Sequence, residues 1–214
     1  MVLGIYGSGG QGKDVKEIAD LQGIWSEIVF IDDTVPEDIF KGSRRMPFER
    51  FKSEYTPEQS KVVIAMGEPE YKILLFNKVK SAGYSFGNVI HPTAYVSSDA
   101  RLGEGIIVKI GSVISVDTII GNNVTLGQYV VVAHDVIIGA HAQISAFTML
   151  AGHSKVGESS FIGIGVPVRD EIEIGKNTII GMGSVVVKNI PDNVVAVGNP
   201  ARVLKKRNKE KVFR

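Results

Sequence analysis

The sequence predicts a two-part chain, a small α/β unit followed by a parallel β-helix. Three observations predict it. Sixteen unbroken six-residue units run from Tyr95 to Ile190, apolar strand-like segments alternate with helical ones before them, and the turn Gly7-Ser8-Gly9-Gly10-Gln11-Gly12 joins the first strand to the first helix. The boundaries that follow are an α/β unit over 1–88, a β-helix over 89–190 and a C-terminal tail over 191–214.

In the first unit, Val2–Tyr6 reads as a strand, followed by the glycine turn and a helix from about Lys13. Strands at Ile28–Ile31 and Val62–Met66, a helix from Tyr71 and a short strand near Tyr84 complete it. The turn fits G-x-G-x-x-G between strand and helix, and Asp32 stands twenty residues beyond Gly12, a Rossmann-like arrangement. Glycines there let backbone N–H groups approach a phosphate at the helix N-terminus, and Asp32 or Asp33 can accept bonds from a ribose hydroxyl. Gly9, Gly10, Gln11, Asp32, Asp33 and Gly67, the last at another strand's carboxyl end, are the candidate binding residues for a nucleotide-linked substrate. The plainer alternative is a tight turn with no ligand. Gly7 to Lys13 also opens like a P-loop, but Asp14 stands where a magnesium-binding hydroxyl belongs, which argues against an ATPase. A dinucleotide dehydrogenase needs a second mononucleotide-binding half, and 88 residues give space for one.

In the hexads, the second place is always Val, Leu or Ile, from Val96 to Val186, and the sixth holds only Ala, Ser, Thr, Val or Ile. Two inward places per unit make a short strand and a corner that bury apolar surface only by stacking on the coils above and below. Three hexads close one triangular coil, giving about five coils at ~4.8 Å each. Gly fills the third place in eight units and is expected to turn the corners by adopting positive φ. A sandwich of short strands would instead show turn clusters every 8–12 residues.

The chain has 214 residues, 44% of them hydrophobic, a net charge of +1, no secretory h-region and no 18-residue apolar run, so a cytoplasmic protein is expected. Near-neutral charge argues against nucleic acid as the main partner. Zero cysteines exclude disulfides, cysteine-ligated zinc and a thiol nucleophile.

The combination of GSGGQG, the Ile31-Asp32-Asp33 strand end, the junction Ile90-His91-Pro92-Thr93-Ala94, the hexads and Gly198-Asn199-Pro200-Ala201-Arg202 resembles the hexapeptide-repeat nucleotide-sugar acetyltransferases over nearly the whole chain. Among these it is most similar to enzymes acting on nucleotide-linked 4-amino-4,6-dideoxy sugars and to sialic-acid O-acetyltransferases. The resemblance implies a left-handed β-helix, acetyl-CoA as co-substrate without a metal, and a homotrimer with active sites at subunit interfaces. It implies catalytic His134 with Asp135, in Val132-Ala133-His134-Asp135, and cofactor contacts at Gln143, Ile164 and Met182. A histidine is familiar in the family at the places of Gln143 and Gln11, and a glycine at that of Met182.

The residues give their own reading of this constellation. An acceptor amine must lose a proton as it attacks a thioester, and an imidazole suits that at neutral pH. Neighbours in an extended strand point to opposite faces, so Asp135 reaches the His134 ring only if the backbone turns there. Asp117, eighteen residues earlier, is expected one coil below Asp135. His141 and His153 take the fifth place of their hexads, read as surface or interface positions, and His91 a structural or subunit-contact one. Zinc carbonic anhydrases share this fold, but His134 and His153 are one residue off the 18-residue register and are not expected to meet, and His141 lies on another face. The basic end, Lys205, Lys206, Arg207, Lys209, Lys211 and Arg214, reads as a solvated tail.

The expected activity is acetyl-CoA-dependent N-acetylation of a nucleotide-linked 4-amino sugar for bacterial surface glycan synthesis, by direct attack. The alternatives are sugar O-acetylation and a non-catalytic nucleotide-binding scaffold, which would tolerate loss of His134.

Overall fold

The computed structural model describes residues 1–208 and 212. The chain divides into two compact units, Met1–Pro92 with Glu104–Ile107, and Thr93–Gly103 with Val108–Arg214.

In the first unit, β1 (Val2–Tyr6) leads through the glycine turn into α1 (Gly10–Gln22), then β2 (Glu27–Ile31), a hairpin of β3 (Asp38–Phe40) and β4 (Ser43–Met46), α2 (Phe48–Glu54), β5 (Ser60–Ile64), α3 (Pro69–Ser81) and β6 (Ser85–Phe86). The sheet order is β3-β4-β2-β1-β5-β6, parallel apart from β3. One apolar core, including Ile31, Phe48, Phe51, Val62, Ile64 and Phe76, joins the sheet to α2 and α3. The other, including Leu3, Ile5, Val15, Ile18, Phe30 and Val63, joins the opposite face to α1.

Several boundaries differ from the sequence reading. Helix α1 starts at Gly10 rather than Lys13, because Gly9 serves as its N-cap and Gly12 is needed inside it. A Cβ on Gly12 would stand 2.0 Å from the Gly7 carbonyl oxygen, so the helix can pack on the first strand's end only with glycine there. Helix α3 starts at Pro69 rather than Tyr71, since proline's fixed φ suits a first turn. Strand β5 ends at Ile64, two residues before Met66. The β3–β4 hairpin and α2 carry too little alternation to be read in advance, although Lys41-Gly42, both at positive φ, is a two-residue hairpin signal.

The second unit is the predicted β-helix. Fifteen two-residue strands, Tyr95–Val96 to Ile179–Ile180, occupy the first two places of successive hexads. They pair in parallel at a separation of eighteen residues, as in Val113↔Val131↔Met149 and Gln143↔Phe161↔Ile179. The sixteenth hexad is held by the single bridges Val168↔Val186 and Ile174↔Ile190. Second-place side chains from Ile114 to Val186 are at most 2% exposed. The sixth place also points inward. Its Ser112, Thr148 and Ser160 hydroxyls donate to the carbonyls of Gly127, Gly163 and Gly175 in the next coil, which explains why a buried place accepts Ser and Thr.

The expected role of third-place glycine needs correction. Positive φ falls at the fifth place instead, in Asp117, Asn123, Tyr129, Asp135, His141, Phe147, His153, Ser159, Glu171 and Asn177 as well as Gly111, Gly165 and Gly183. The third-place glycines answer a steric demand. A Cβ on Gly121, Gly157 or Gly163 would lie 2.6, 2.3 or 2.5 Å from the backbone nitrogen of Ala140, Lys176 or Met182 in the coil above. At successive corners from Tyr129 to Gly183 the fifth-place N–H donates to the fourth-place carbonyl of the preceding coil, as in Asp135 to Val116 and His153 to His134.

Two further strands follow the hexads. Val194–Val197 extends one face in parallel beside Ile179–Ile180, and Arg202–Lys206 returns antiparallel on it. Lys205 and Lys206 are exposed. Arg207 is buried and donates to the Asn177 side-chain oxygen at 2.6 Å, so it is no solvated tail residue. Lys209, Lys211 and Arg214 lie outside the described residues.

Candidate active site

The first unit carries a cavity of about 570 Å³ at the carboxyl ends of β1, β2 and β5, within the range of small-molecule sites. In this sheet β2 and β5 flank β1 on opposite sides, and such a reversal of strand order opens a crevice. The cavity is lined by the glycine turn, by Asp32, Asp33 and Thr34 after β2, by Met66 and Gly67 after β5, and by Tyr71, Leu74 and Leu75 of α3. All six predicted binding residues, Gly9, Gly10, Gln11, Asp32, Asp33 and Gly67, therefore border one space. A Cβ on Gly9 or Gly10 would meet nothing within 4 Å, so packing in this chain does not demand glycine there, and the bare backbone faces open space.

The two carboxylates are held differently. Asp32 accepts from the Ser8 hydroxyl and amide and from the Thr34 hydroxyl and amide. Partial burial pushes its carboxyl up, but these bonds outweigh that and hold it below the usual range. Asp33 accepts from Lys78 Nζ at 2.6 Å, the Phe48 amide at 2.7 Å and the Tyr6 hydroxyl. Burial raises it too, and Lys78 leads the interactions that overcome the effect. Burial, and then Asp33, push the Tyr6 phenol far upward. Asp33 thus ties β1, α2 and α3 together.

A carboxyl lowered in the fold stabilises above its ordinary value near 3.8, and the contribution vanishes as pH falls through the lower folded value. Thermal melts from pH 6 to 3 should therefore show the first unit weakening at the acid end. Asp33→Asn should be less stable than wild type at pH 7 and flatter across that range. An unchanged slope would remove Asp33 from this role.

Sequence reasoning missed Tyr6, Ser8, Thr34 and Lys78. A signal existed in α3, where Tyr71, Leu74, Leu75 and Lys78 follow the i, i+3, i+4, i+7 spacing of one helix face.

The second unit brings His134 and Asp135 together at a corner. Asp135 adopts φ 58°, so the backbone does turn, and His134 Nδ1 lies 2.8 Å from Asp135 Oδ2. A hydrogen bond between them, with Nδ1 as donor, leaves Nε2 as the ring's proton acceptor. Gly152, one coil above, gives the ring its place: a Cβ there would come within 2.7 Å of His134 Cε1 and 2.9 Å of Nε2. Gly152 was not picked out in the sequence, since a fourth-place glycine has no motif of its own. Gly152→Ala should displace the imidazole with little change in Tm and, with His134 as a reacting group, lower turnover by roughly ten- to a hundredfold. Unchanged turnover would show that the ring does not depend on this gap.

The expectation that His134 and His153 do not meet is overturned. Their rings stand edge to face with centroids 5.1 Å apart, and His153 Nδ1 is 3.9 Å from Asp135 Oδ2. The reason is the corner bond, which sets a fifth-place residue over the fourth place nineteen residues before it. His141 departs from its surface reading as well: it is buried, with Nδ1 3.0 Å from Asn123 Nδ2. Asp117 is exposed one coil below Asp135, and His91 is half-buried.

Ile164 and Met182 stack one coil apart at another corner, 51% and 75% exposed, with the Gly183 amide donating to the Ile164 carbonyl. Gln143 is buried on the adjoining face, in register with Phe161 and Ile179, and its Oε1 has no hydrogen-bond partner among the described residues. On one prism, His134 and this pair occupy different corners.

Comparison with known proteins fits both units. Residues 2–79 match the PglD N-terminal domain family, and residues 117–152 match the bacterial transferase hexapeptide (six repeats) family. The acetyltransferase domain of PglB from Neisseria gonorrhoeae, solved with acetyl coenzyme A, is 31% identical over 95% of this chain and 98% of its own, with a TM-score of 0.90. The chain belongs to the hexapeptide-repeat nucleotide-sugar acetyltransferases. A histidine-to-alanine mutant of GDP-perosamine N-acetyl transferase from Caulobacter crescentus, in complex with CoA and GDP-perosamine, is 33% identical over 95% of this chain and 96% of its own (TM-score 0.89). WeeI from Acinetobacter baumannii is 25% identical over 95% and 100%, with a TM-score of 0.68. As a member of this family the chain is an acyltransferase. Among the described residues, no helix is long and apolar enough to cross a membrane.

Proposed function

We propose that this acyltransferase moves the acetyl group of acetyl-CoA to the 4-amino group of a nucleotide-linked 4-amino-4,6-dideoxy sugar, in surface glycan synthesis. The observation that carries the reading is the likeness, across both units, to an N-acetyl transferase whose structure holds CoA and GDP-perosamine. The glycine turn and the carboxylates of the first cavity suit the nucleotide end: backbone N–H groups for phosphate, and Asp32, once a ribose hydroxyl displaces Ser8 or Thr34, for the sugar. His134 serves as the base. The amine nitrogen attacks the thioester carbonyl, its proton passes to His134 Nε2, the C–S bond breaks, and CoA leaves as its thiol after taking up a proton. Asp135 is a positioning residue that accepts from Nδ1. With zero cysteines, no thiol can carry the acetyl group between the two substrates.

We infer a homotrimer for the active form, in which His134 of one subunit and the Ile164 and Met182 corner of another meet around the thioester. The separation of these corners on one prism supports it, and closed symmetry is the usual way to cover exposed apolar corners. A native mass near three times 23.1 kDa would agree with it. Acetyl-CoA and nucleotide sugars as substrates support a cytoplasmic location.

The test is CoA release from acetyl-CoA in the presence of GDP-, UDP- and dTDP-linked 4-amino sugars and their hydroxyl counterparts. Turnover confined to an amino sugar is expected. Turnover confined to hydroxyl sugars would move the assignment to O-acetylation, and none on any acceptor, with binding retained, would favour a scaffold.

A further inference from the structure

His153 has no part in the acetyl transfer just described, yet it brings a second imidazole to the base. One ligand atom from each of His134, Asp135 and His153 lies within 4.8 Å of the other two. We propose that this corner is a binding site for a divalent transition-metal ion of the zinc class, and that occupancy blocks acetyl transfer by occupying His134. The blocking effect rests on the assignment of His134 as base, whereas binding does not.

The donor set determines the class of ion. Two imidazole nitrogens and a carboxylate oxygen suit Zn²⁺, Co²⁺, Ni²⁺ or Cu²⁺ and are a poor set for Mg²⁺ or Ca²⁺, which favour oxygen. Ligand atoms about 2.1 Å from a tetrahedral ion stand roughly 3.4 Å from one another. From that spacing His134 Nδ1 and Asp135 Oδ2, at 2.8 Å, must open by about 0.6 Å, and His153 Nδ1 must close from 3.9 Å to Asp135 Oδ2. Side-chain rotation can supply this, because the His134 and His153 side chains are 53% and 57% exposed. The αL backbone at Asp135 and His153 and the hydrogen bond from the His153 amide to the His134 carbonyl fix the Cα positions on which the side chains turn. Three protein donors leave a fourth position to water, the pattern of an open site.

The test titrates the full chain with Co²⁺, reading the visible d–d bands, and with Zn²⁺ by calorimetry, beside His153→Asn and Asp135→Asn. Asn suits the left-handed backbone at both positions and keeps the corners folded. The expected result is one equivalent per chain with tetrahedral-type Co²⁺ bands, at least about tenfold weaker binding in each variant, and no heat with Mg²⁺. Acetylated product is followed by mass spectrometry, since free CoA thiol would itself bind zinc, and each variant is compared with its own metal-free rate. Zinc should suppress wild type, EDTA should restore it, and His153→Asn should resist. No binding, or equal binding by wild type and His153→Asn, overturns the site. Binding without inhibition overturns the blocking role. A chain that acetylates nothing but gives the bands, weakened in His153→Asn, would retain the metal site while the assignment of the reaction falls.

Discussion

His134→Ala is expected to lower kcat by roughly a hundred- to ten-thousandfold, the range for losing a positioned general base, with KM for both substrates little changed. The chain should fold as before, because the His134 side chain is 53% exposed and closes no core. CoA release against a 4-amino sugar, together with a thermal melt, measures both. A loss of less than about threefold in kcat would leave the acetyltransferase without this base and return the search to His91 or His153. A collapse in Tm would mean that the His134–Asp135 pair is structural. Near-neutral pH makes the test informative, since an amine acceptor needs help losing its proton as the C–N bond forms.

The second large effect concerns Gly12. Its replacement by Ala sets a methyl group 2.0 Å from the Gly7 carbonyl oxygen, a backbone atom that cannot rotate aside. About 3 kcal/mol of lost stability is expected, the upper end for overpacking. The loss should concentrate in the first unit: nucleotide-sugar binding should weaken, while the hexads, which bury their own Val, Leu and Ile side chains, persist. Urea melts with two probes separate these outcomes, Trp25 fluorescence for the first unit and far-ultraviolet circular dichroism for the strands. Gly9→Ala is the control: there a Cβ meets open space, and ligand affinity should fall with little change in stability. Equal stability of Gly12→Ala and wild type would mean that α1 can shift away from the first strand.

What could be read in advance follows from how local each cause is. The β-helix was legible because each hexad restates the rule at its second and sixth places, so no long-range fact was needed. The glycine turn and Asp32 were legible because G-x-G-x-x-G and a strand-end carboxylate sit at fixed offsets. His134 and Asp135 were legible as a pair, but the turn that joins them depends on φ at Asp135, which the sequence left open. The meeting of His134 with His153 was misread because an eighteen-residue register was applied to places that the corner bond offsets to nineteen. Gly152 was invisible for a different reason. Its importance lies in the absence of a side chain over a ring from the coil below, and absence leaves no pattern. Tyr6 and Lys78 come to Asp33 from distant parts of the chain, a convergence only the folded sheet reveals.

The left-handed fifth place has a wider consequence for how such a protein can change. Folding instructions occupy the second, third and sixth letters of each hexad, whereas the fourth and fifth stand at the corners, some exposed like His134 and His153 and some buried like Asn123 and His141, and in this chain already accept His, Asp, Asn, Tyr, Phe, Ser, Glu, Met and Gly. The prism therefore behaves as a rack whose uprights are separate from its pegs. A functional group can be hung beside His134 at position 153, where this sequence has a histidine, without rewriting any residue that makes the rack stand.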